Sequence, residues 1–340
     1  MITLEDGKGI IGLLKNLNYN QGTALNQGFL SQLFYQSKMV EESLFQPLSQ
    51  FNEFFKKGIL AKDNKKIYST IRIVPFNQFY FIVDSPAVSS TATAERYFSN
   101  KDSLYGYIGG DGMALTDYIL PRLNRKIHKK GLDLCAGSGI IGIVLSTLFD
   151  WMHAVDIDEY AFKWMQFNAQ LNGIKNYTAY KGDLYAPLKA SGPFDVIFAN
   201  PSYSFFPAEV MEKYQIKRHE VADDLGLDLV LKIIGGFNAC LAPEGTGYIC
   251  TSTPVLNGRD YLVQKITEMF SEHDYAFEIY YNSCYTHSEF KKYYNSLGIT
   301  KFYFVFVKVK KGLTFKIKRV FSKSYYLSQA RMIMDSFRGA

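Results

Sequence analysis

From about residue 129 onward, short apolar runs alternate with stretches of helical periodicity, and no other feature of this 340-residue sequence constrains its fold as strongly. Such alternation is typical of a sheet whose faces are covered by helices. Seven strands are predicted, at 131–134, 152–156, 177–181, 195–199, 247–251, 276–281 and 301–309. Helices are predicted between them, at 140–148, 159–171, 227–241, 260–271 and 288–296. The sequence therefore predicts an α/β fold with a seven-stranded sheet and helices on both faces.

The first hundred residues follow a different pattern, which predicts a small α+β domain ahead of the sheet. Apolar residues recur near helical spacing over 25–60. Two β-rich runs follow over 65–84, and the tripeptide Pro-Phe-Asn between them suits a hairpin. Helices followed by a hairpin resemble a winged-helix-like accessory domain. The small polar residues at 85–100 are typical of a linker.

These patterns divide the chain into three expected segments. An accessory domain that recognises the substrate is predicted over 1–104, the main α/β domain over 105–311, and a basic extension over 312–340. The formal net charge of +6 is unevenly spread, because residues 285–340 carry 12 basic and 2 acidic side chains. The basic excess of the chain therefore lies at its C-terminal end.

Lysines alternate with apolar residues in this basic end. Lys308 and Lys310, then Lys316 and Lys318, are predicted to fall on one face of two strands joined near Gly312. A basic stripe beside aromatic residues suits the phosphate backbone of a nucleic acid. Lysines on an edge strand also prevent edge-to-edge aggregation, so both explanations stay open.

The cysteines and the N-terminal sequence bear on the compartment. Cys135, Cys240, Cys250 and Cys284 are far apart and form no C-x-x-C pair, which disfavours a disulfide or a metal site. No basic segment followed by an apolar run opens the chain, and no stretch reaches the roughly 18 uninterrupted apolar residues of a membrane span. We expect a cytoplasmic protein with no membrane span and no metal.

Several single residues have a structural and a functional explanation. His219 is predicted to be a surface residue rather than a substrate contact. Asp223, Asp224 and Asp228 are predicted to begin a helix rather than to bind a metal. Trp164 is predicted to lie in the core rather than beside a ligand.

The segment LDLCAGSGIIG follows the first predicted strand and contains the strongest local motif. Gly137, Gly139 and Gly142 form a G-x-G-x-x-G pattern, which also occurs in NAD-binding sites. Glycine is needed where the backbone turns tightly and approaches a ligand closely. Asp133 lies four residues before the first glycine, where its negative charge would disfavour a pyrophosphate.

Acidic residues end the next two predicted strands. Asp156 ends the second strand, where a carboxylate can accept hydrogen bonds from two ribose hydroxyls. Asp183 follows the third strand in YKGDLY, placed to accept from an exocyclic adenine amine. Asp133 could act through water or the backbone on the amino-acid end of a cofactor.

The fourth predicted strand ends in FANPSY. Asn-Pro favours a turn, and proline cannot donate to a sheet ladder, so a simple turn explains the stretch locally. Its position after Asp195–Phe198 also places Asn200 and Tyr203 at a strand end beside the glycine turn. The stretch is therefore either a turn alone or a turn that carries an active site.

Taken in order, these four strand ends resemble those of class I S-adenosylmethionine-dependent methyltransferases, over about residues 107–309. Within that class, NPSY resembles the N-P-P-[YF] motif of nitrogen methyltransferases. That group includes glutamine-amide enzymes of the HemK type and enzymes that act on exocyclic amines of nucleic-acid bases. The resemblance implies a Rossmann-like methyltransferase sheet and S-adenosyl-L-methionine as cofactor.

The resemblance also implies roles for individual residues. Asn200 and the carbonyl of Pro201 would accept the two N–H bonds of the target nitrogen, and Tyr203 would stack on its planar group. Ser202, Tyr203 and Phe205 would contact the substrate. A cofactor lid would include Gly110, Asp111 and Met113. The implied cofactor contacts are Asp133, Cys135, Ala136, Gly137, Gly139, Asp156, Ile157, Asp183, Leu184, Asn200 and Gly110.

Ser202 departs from the motif, which has a second proline at that position. Serine adds local freedom or offers a hydroxyl to the substrate. The expected reaction is methyl transfer to an amide or exocyclic amine nitrogen of a nucleic acid or a protein glutamine. A small-metabolite acceptor, a non-catalytic cofactor-binding module and an NAD-dependent oxidoreductase remain as alternatives.

Overall fold

The computed structural model describes residues 2–24, 28–44, 48–85, 108–123, 128–188, 191–206, 208–214, 221–286 and 290–322. The α-helices are α1 (Leu4–Asn16), α2 (Gln21–Ala24), α3 (Asn52–Lys56), α4 (Gly110–Ile119), α5 (Ile140–Leu145), α6 (Glu159–Leu171), α7 (Ala208–Tyr214), α8 (Asp228–Cys240), α9 (Tyr261–Phe270) and α10 (Lys291–Ser296). The strands are β1 (Val40–Glu41), β2 (Leu60–Asp63), β3 (Lys66–Ser69), β4 (Ile71–Phe76), β5 (Phe79–Asp84), β6 (His128–Leu134), β7 (Phe149–Asp156), β8 (Tyr177–Lys181), β9 (Phe194–Ala199), β10 (Leu241–Leu256), β11 (Arg259–Asp260), β12 (Tyr275–Tyr285), β13 (Ile299–Lys311) and β14 (Lys316–Phe321).

The described residues contain one large mixed sheet of nine strands. Eight lie in the order β14-β12-β13-β10-β9-β6-β7-β8, and β11 pairs with β10. Neighbouring strands from β8 to β10 are parallel, β13 is antiparallel to both its neighbours, and β14 is parallel to β12. Each of the seven predicted strands lies within a strand of this sheet, which confirms the α/β fold. The count of seven is not confirmed, because β11 and β14 also pair.

Helices cover both faces of the sheet, as its strand pattern predicts. Alternate residues of β9 point to opposite faces: Val196 and Phe198 belong to a core that includes residues of α4, α5 and α6. Ile197 and Ala199 belong to a second core with residues of α8 and α9. The predicted helix at 159–171 is confirmed at both ends. The Asp158 side chain caps its first turn. The predicted helix at 140–148 instead ends in a 3-10 turn after Leu145.

The helices predicted over 25–60 are present as short pieces in the described part of this segment. They are a π-helical turn at Ser31–Tyr35, 3-10 turns at Glu42–Leu44 and Leu48–Phe51, and the five-residue α3. Ser37 turns the chain with a φ of 53°, and Val40 then pairs with Ile67. Phe34 reaches the core from the π-helical turn and Phe54 from α3. The helical prediction is therefore confirmed in part, and a winged-helix arrangement is not confirmed.

The predicted hairpin is confirmed, although its first run divides between two small sheets. β4 pairs with β5, and Pro75 lies inside β4 opposite Tyr80, so the turn falls at Asn77 and Gln78. β3, from the same β-rich run, pairs instead with β1 and β2. Thr70 separates the two strands, and its N–H donates to the carbonyl of Ile59 rather than continuing a ladder. The helix α1 was not predicted from the sequence.

The hairpin packs on α6 through hydrogen bonds to the backbone of β5. Asn168 Oδ1 accepts from the N–H of Ile82 at 2.9 Å, and Asn172 pairs with both backbone groups of Tyr80. Trp164 Nε1 donates to Asp84 Oδ2 at 3.0 Å. These side chains satisfy the free edge of β5 and join the N-terminal residues to the main core. The predicted boundary at residue 104 and the linker fall largely among residues 86–107, outside the described ranges.

The sequence predicts no disulfide among the four cysteines and no membrane span. All four cysteines are free thiols. Across the described ranges, no helix has both the length and the apolar character that a bilayer crossing requires.

Candidate cofactor and acceptor site

The turn between β6 and α5 lies in the left-handed region of backbone space. Cys135, Gly137 and Gly139 have φ values of 55°, 54° and 81°. A Cβ at position 139 would lie 2.9 Å from Oη of Tyr177 and 3.0 Å from Cβ of Met165. Only glycine fits there without displacing its neighbours. The predicted glycine turn is therefore tight, and it lies at the carboxyl end of a central strand, where open α/β sheets bind ligands.

Asp156 supports this turn from the end of the neighbouring strand β7. Its Oδ2 accepts from the N–H of Gly137 at 2.8 Å, and its Oδ1 accepts from the N–H of Asp158 at 3.0 Å. Burial raises the pKa of Asp156 above its ordinary value, and the two backbone donors counter part of that rise. Each carboxylate oxygen has two lone pairs, so the predicted ribose contacts remain compatible with these bonds. The next residue, Ile157, is 63% exposed and lies beside this carboxylate as an apolar surface.

Asp133 is fully buried, and its principal partner is the first turn of α5. Its Oδ2 accepts from the N–H of Gly142 at 2.8 Å, whereas its Oδ1 has no partner in the described part of the chain. A Cβ at position 142 would lie 3.0 Å from Asp133 Oδ2. The third glycine of the G-x-G-x-x-G pattern is thus explained by its packing against Asp133. Burial raises the pKa of the Asp133 carboxyl to about 8.

The raised pKa of Asp133 gives a prediction for stability against pH. Below about pH 4 the carboxyl is protonated in both the folded and the unfolded chain. Between about pH 4 and 8 the unfolded chain releases this proton and the folded chain keeps it, so stability falls as pH rises. We expect the free energy of unfolding of the wild type to decrease from pH 5 to 8 by more than that of Asp133→Asn.

Urea unfolding at several pH values measures this difference. Asp150→Asn is the control, because Asp150 is exposed. It should follow the wild-type profile. Parallel profiles for wild type and Asp133→Asn would show that Asp133 is already ionised in the folded protein across this range.

The residues after β8 lie beside the end of β7, because Asp156 pairs with Lys181 across the two strands. Asp183 is exposed, and Leu184 is half-buried with a φ of 44°. Both therefore lie at the same edge as Asp156 and Ile157, as predicted for cofactor contacts. Ala136 is buried in the glycine turn, and burial raises the pKa of the half-buried Cys135 thiol, which keeps that thiol neutral.

Asn200 lies at the carboxyl end of β9, between the ends of β6 and β10. It follows Ala199, which pairs with Leu134 on one side and with Ile249 on the other. Asn200 Oδ1 is buried and has no partner among the described residues. A Cβ at Gly112 would lie 3.5 Å from Asn200 Nδ2, so the start of α4 packs closely on this side chain. Gly110 is the first residue of α4 and is buried.

Buried polar atoms without described partners cluster around these strand ends. Besides Asn200 Oδ1, they include Asp133 Oδ1, Ser138 Oγ and Tyr177 Oη. Such atoms are normally paired in a folded protein. Ser138 and Asn200 follow the ends of β6 and β9, whereas Tyr177 begins β8 and reaches the glycine turn with its hydroxyl. The unpartnered atoms after the two strand ends fit a polar ligand there. Sequence analysis missed Tyr177, whose hydroxyl faces Gly139, because a tyrosine at a strand start carries no motif.

Tyr203 is anchored to the proposed lid. Its hydroxyl donates to Asp111 Oδ2 at 3.1 Å, and its ring packs against Phe304 with the centroids 6.1 Å apart. A Cβ at Gly226 would lie 2.5 Å from the carbonyl oxygen of Tyr203. Gly226 has a φ of 97°, so this close approach requires glycine. Gly226 was not singled out from the sequence, where an isolated glycine near a predicted helix start is a weak signal.

Phe205 lies in an aromatic cluster with the connection between β12 and β13. Its ring centroid is 6.5 Å from that of Tyr293 and 6.3 Å from that of Tyr294. Tyr294 Oη donates to the carbonyl of Phe205 at 2.6 Å. The loop that carries the predicted substrate residues Ser202, Tyr203 and Phe205 is therefore held by β13 and by α10. Whether they contact substrate stays a prediction.

Two of the remaining single residues follow their structural explanations. Trp164 is fully buried, and Asp228 lies in the first turn of α8. Within the described ranges no cluster of histidine, cysteine or acidic residues could hold a metal. The explanation of His219 stays a prediction, because that residue lies outside the described ranges, and the expected absence of a metal from the whole chain stays a prediction as well.

The basic strands differ from the predicted arrangement in one respect. Gly312 does not join two neighbouring strands, because β12 lies between β13 and β14. The N–H of Gly312 donates to the carbonyl of Asp274 at 2.9 Å, so the chain passes the start of β12 before β14 begins. The strand that carries Lys316 and Lys318 was predicted but was not counted among the seven strands of the sheet, and β14 does belong to that sheet.

Comparison with known proteins bears on the part of the chain that holds this site. Residues 113–214 match the family described as "Methyltransferase small domain". This match supports a methyltransferase domain over these residues. It runs from within α4 through α7, and thus includes the glycine turn, Asp156 and Asn200.

Curated relatives match over similar lengths. The chain is 36% identical over 123 residues to the release factor glutamine methyltransferase of Thermodesulfovibrio yellowstonii, which is 34% of this chain and 43% of the relative. It is 34% identical over 94 residues to the ribosomal protein L11 methyltransferase of Campylobacter jejuni, which is 27% of this chain and 32% of the relative. The chain thus spans less than half the length of these relatives.

Among solved structures, the chain is similar to the 16S rRNA N2 G1207 methyltransferase of T. thermophilus in complex with AdoMet and guanosine. The TM-score is 0.44 and the identity is 16%, over 81% of this chain and 64% of that chain.

Proposed function

We propose that this protein is an S-adenosylmethionine-dependent N-methyltransferase whose acceptor is an amide or an exocyclic amine nitrogen. The cofactor would be held by the glycine turn at Gly137 and Gly139, by Asp156 and Ile157, and by Asp183 with Leu184. The family match over 113–214 supports the cofactor class. The name of the glutamine methyltransferase relative supports an amide-type nitrogen.

The observation that carries the nitrogen acceptor is the buried, unpartnered Oδ1 of Asn200. Leaving such an oxygen without a donor costs about 1–3 kcal/mol. A ligand N–H would satisfy it, and the backbone carbonyl of Pro201 offers a second acceptor one residue further on. An amide or amine with two hydrogens presents the matching pair of donors.

The chain's part in the reaction would be to position the nitrogen. Bound at this site, S-adenosylmethionine supplies a strongly electrophilic methyl group. Amide and aryl amine nitrogens are poor nucleophiles because their lone pair is delocalised. Holding both hydrogens on Asn200 and Pro201 directs the lone pair toward the methyl group, and the same oxygens stabilise the positive charge that develops on nitrogen.

This arrangement would need no strong base. Once the nitrogen is alkylated, its proton becomes acidic and can leave to water. The absence of histidine from residues 198–206 agrees with that requirement. Tyr203 would position the substrate, and its hydrogen bond to Asp111 would link the acceptor loop to the lid at the start of α4.

Cofactor class is tested first by thermal unfolding with two ligands. S-adenosylhomocysteine at 100 times its Kd should stabilise the folded chain by about 2.7 kcal/mol, because it binds only the folded state. That corresponds to a rise in Tm of about 2–4 °C for a chain of this size class. NAD at the same concentration should leave Tm unchanged. Stabilisation by NAD alone would overturn the methyltransferase proposal.

The acceptor class is tested by transfer of a labelled methyl group. The protein would be incubated with labelled S-adenosylmethionine and, separately, with RNA, protein and small-metabolite fractions. Label in an acid-stable N-methyl product of one fraction would support the proposal. Cofactor binding without label in any fraction would instead support a non-catalytic cofactor-binding module.

A further inference from the structure

Four lysines from two strands that are not neighbours lie on the same side of the sheet. Lys308 of β13 and Lys318 of β14 both pair with Glu278 of β12. Two residues earlier on the same face of β12, Ala276 pairs with both Lys310 and Lys316. Directly paired residues of adjacent strands point to the same face. We call the surface formed by Lys308, Lys310, Lys316 and Lys318 the basic face.

The basic face carries a net positive charge at solvent-accessible positions. Lys316 and Lys318 are exposed, and Lys308 and Lys310 are half-buried. The acid at its centre is Glu278, whose Oε2 lies 3.3 Å from Nζ of Lys318, with 68% of the lysine side chain exposed. An exposed pair of this kind contributes about 0–1 kcal/mol and exchanges readily for another anion. Four positive charges around one carboxylate leave a surface suited to a polyanion.

Protection of an edge strand does not account for this arrangement. Lysines do prevent edge pairing, and β14 is the last strand of the sheet. Lys308 and Lys310, however, lie on β13, which is hydrogen-bonded on both sides to β10 and β12. Half of the basic face therefore lies where there is no edge to protect.

The same side of β13 leads from the lysines toward the acceptor loop. Counting back by twos from Lys310 and Lys308, the residues on this face are Phe306 and Phe304. The ring of Phe304 packs against that of Tyr203. Six residues of strand span about 20 Å. Phe304 and Phe306 are themselves buried, so β13 sets the separation between the basic face and the acceptor loop, which a few nucleotides can span, without forming an exposed path between them.

A further cation lies beside β12. The Arg122 guanidinium lies 3.6 Å from the ring centroid of Tyr118 and 6.0 Å from that of Tyr280. Tyr280 is half-buried and pairs with Phe306 across β12 and β13. Tyr118 is fully buried and cannot stack on a base, so the half-buried Arg122 contributes a positive charge and Tyr280 a partly accessible ring on this side of the sheet.

We propose that the basic face binds the sugar–phosphate backbone of a single-stranded nucleic acid that carries the acceptor amine. The inference rests on the proposed function for its acceptor, and it selects the nucleic acid over the protein glutamine. The family match ends at residue 214, so the basic face lies beyond the part shared with that family. A single strand presents an exocyclic amine to Asn200 without the cost of extruding the base from a duplex.

The test is binding of the full-length protein to a labelled 12-nucleotide single strand of mixed sequence, as RNA and as DNA, by fluorescence anisotropy. Four phosphate contacts predict a salt slope of about −2.8, which weakens binding about 50-fold between 50 and 200 mM KCl. Replacing all four lysines by glutamine should weaken binding at 50 mM by at least about 30-fold and flatten the slope. Preference for RNA over DNA would identify which nucleic acid supplies the backbone.

Two smaller variants separate the strands. Lys308→Gln with Lys310→Gln removes the charges of β13, and Lys316→Gln with Lys318→Gln removes those of β14. Each pair should reduce the slope by about 1.4. The matched control is Lys56→Gln with Lys66→Gln, two lysines of the N-terminal part with 73% and 53% of their side chains exposed. The control should bind the oligonucleotide as the wild type does.

Binding of S-adenosylhomocysteine is measured on every variant and should stay unchanged. If the wild type does not bind S-adenosylhomocysteine, the proposed function is wrong. The oligonucleotide assay alone decides whether the basic face binds nucleic acid. Salt-insensitive oligonucleotide binding, equal weakening in the control, or equal binding of a polyglutamate peptide would each overturn the inference. In a further outcome, the wild type and the quadruple variant transfer methyl label equally to a glutamine peptide and transfer none to an oligonucleotide. That result would show that the acceptor is protein and would overturn the inference.

Discussion

Replacing Asn200 by alanine is expected to lower methyl transfer about 100- to 1,000-fold while leaving the affinity for S-adenosylhomocysteine within about twofold. That range is typical when one preorganised hydrogen-bonding group is removed from an enzyme site. The side-chain oxygen is buried at the end of β9 without a described partner. Its proposed role is to fix one hydrogen of the acceptor, and alanine cannot do this. Single-turnover transfer with labelled cofactor measures the rate, and calorimetry measures the affinity.

The control for Asn200 is Asn238→Ala on α8, where the side chain is exposed. That variant should transfer methyl groups at the wild-type rate. Asn200→Asp keeps an acceptor oxygen and should retain more activity than alanine. Full turnover by Asn200→Ala would remove Asn200 from the mechanism. A proportional loss of cofactor affinity would show instead that Asn200 acts through the cofactor.

Replacing Trp164 by alanine is expected to cost about 3–5 kcal/mol of unfolding free energy. Trp164 is fully buried on α6, and its ring packs edge-on against Phe167 at 5.4 Å. Its indole N–H also satisfies Asp84, whose pKa burial already raises. Alanine leaves a cavity and an unpaired carboxyl where the N-terminal hairpin meets the main sheet. Urea unfolding, with the shift in midpoint as the readout, measures the loss.

Trp151 provides the matched control, because it is the second tryptophan of the chain and is 42% exposed. Trp151→Ala should cost clearly less than Trp164→Ala, since 42% of Trp151 already stays in water in the folded chain. Trp164→Phe keeps a ring but loses the bond to Asp84, and should fall between wild type and alanine. Equal midpoints for Trp164→Ala and Trp151→Ala would show that the hairpin is not held through Trp164.

The part of the fold that the sequence predicts well is the part in which local pattern and tertiary environment agree. The helix at 159–171 has an aspartate cap, an acidic first turn and one apolar face, so its two ends are specified locally. In contrast, the apolar residues over 25–60 recur near helical spacing, but Phe34, Phe51 and Phe54 enter the core from separate short pieces of π, 3-10 and α type. Burial alone gives no information about which backbone conformation carries the side chain inward.

The candidate site divides in the same way. Glycines with positive φ and a strand ending in Asn-Pro are local features, so the positions of Gly139 and Asn200 at strand ends follow from the sequence. The residues that pack around them are distant in sequence. Gly226 lies against the backbone carbonyl of Tyr203. Asp111 accepts a hydrogen bond from the Tyr203 hydroxyl, although the two residues are 92 positions apart. Nothing in the spacing of these residues predicts that they meet.

By itself, the sequence determined the alternation of strands and helices, the order of the four functional strand ends and the excess of lysine after residue 285. These follow from side-chain periodicity and backbone preferences, which act over a few residues. Only the tertiary structure decided that Asp133 is fully buried, that Asn200 Oδ1 lacks a described partner, and that β12 lies between β13 and β14. Burial and strand neighbours depend on which distant segments pack together, and a periodic pattern specifies a face without specifying what covers it.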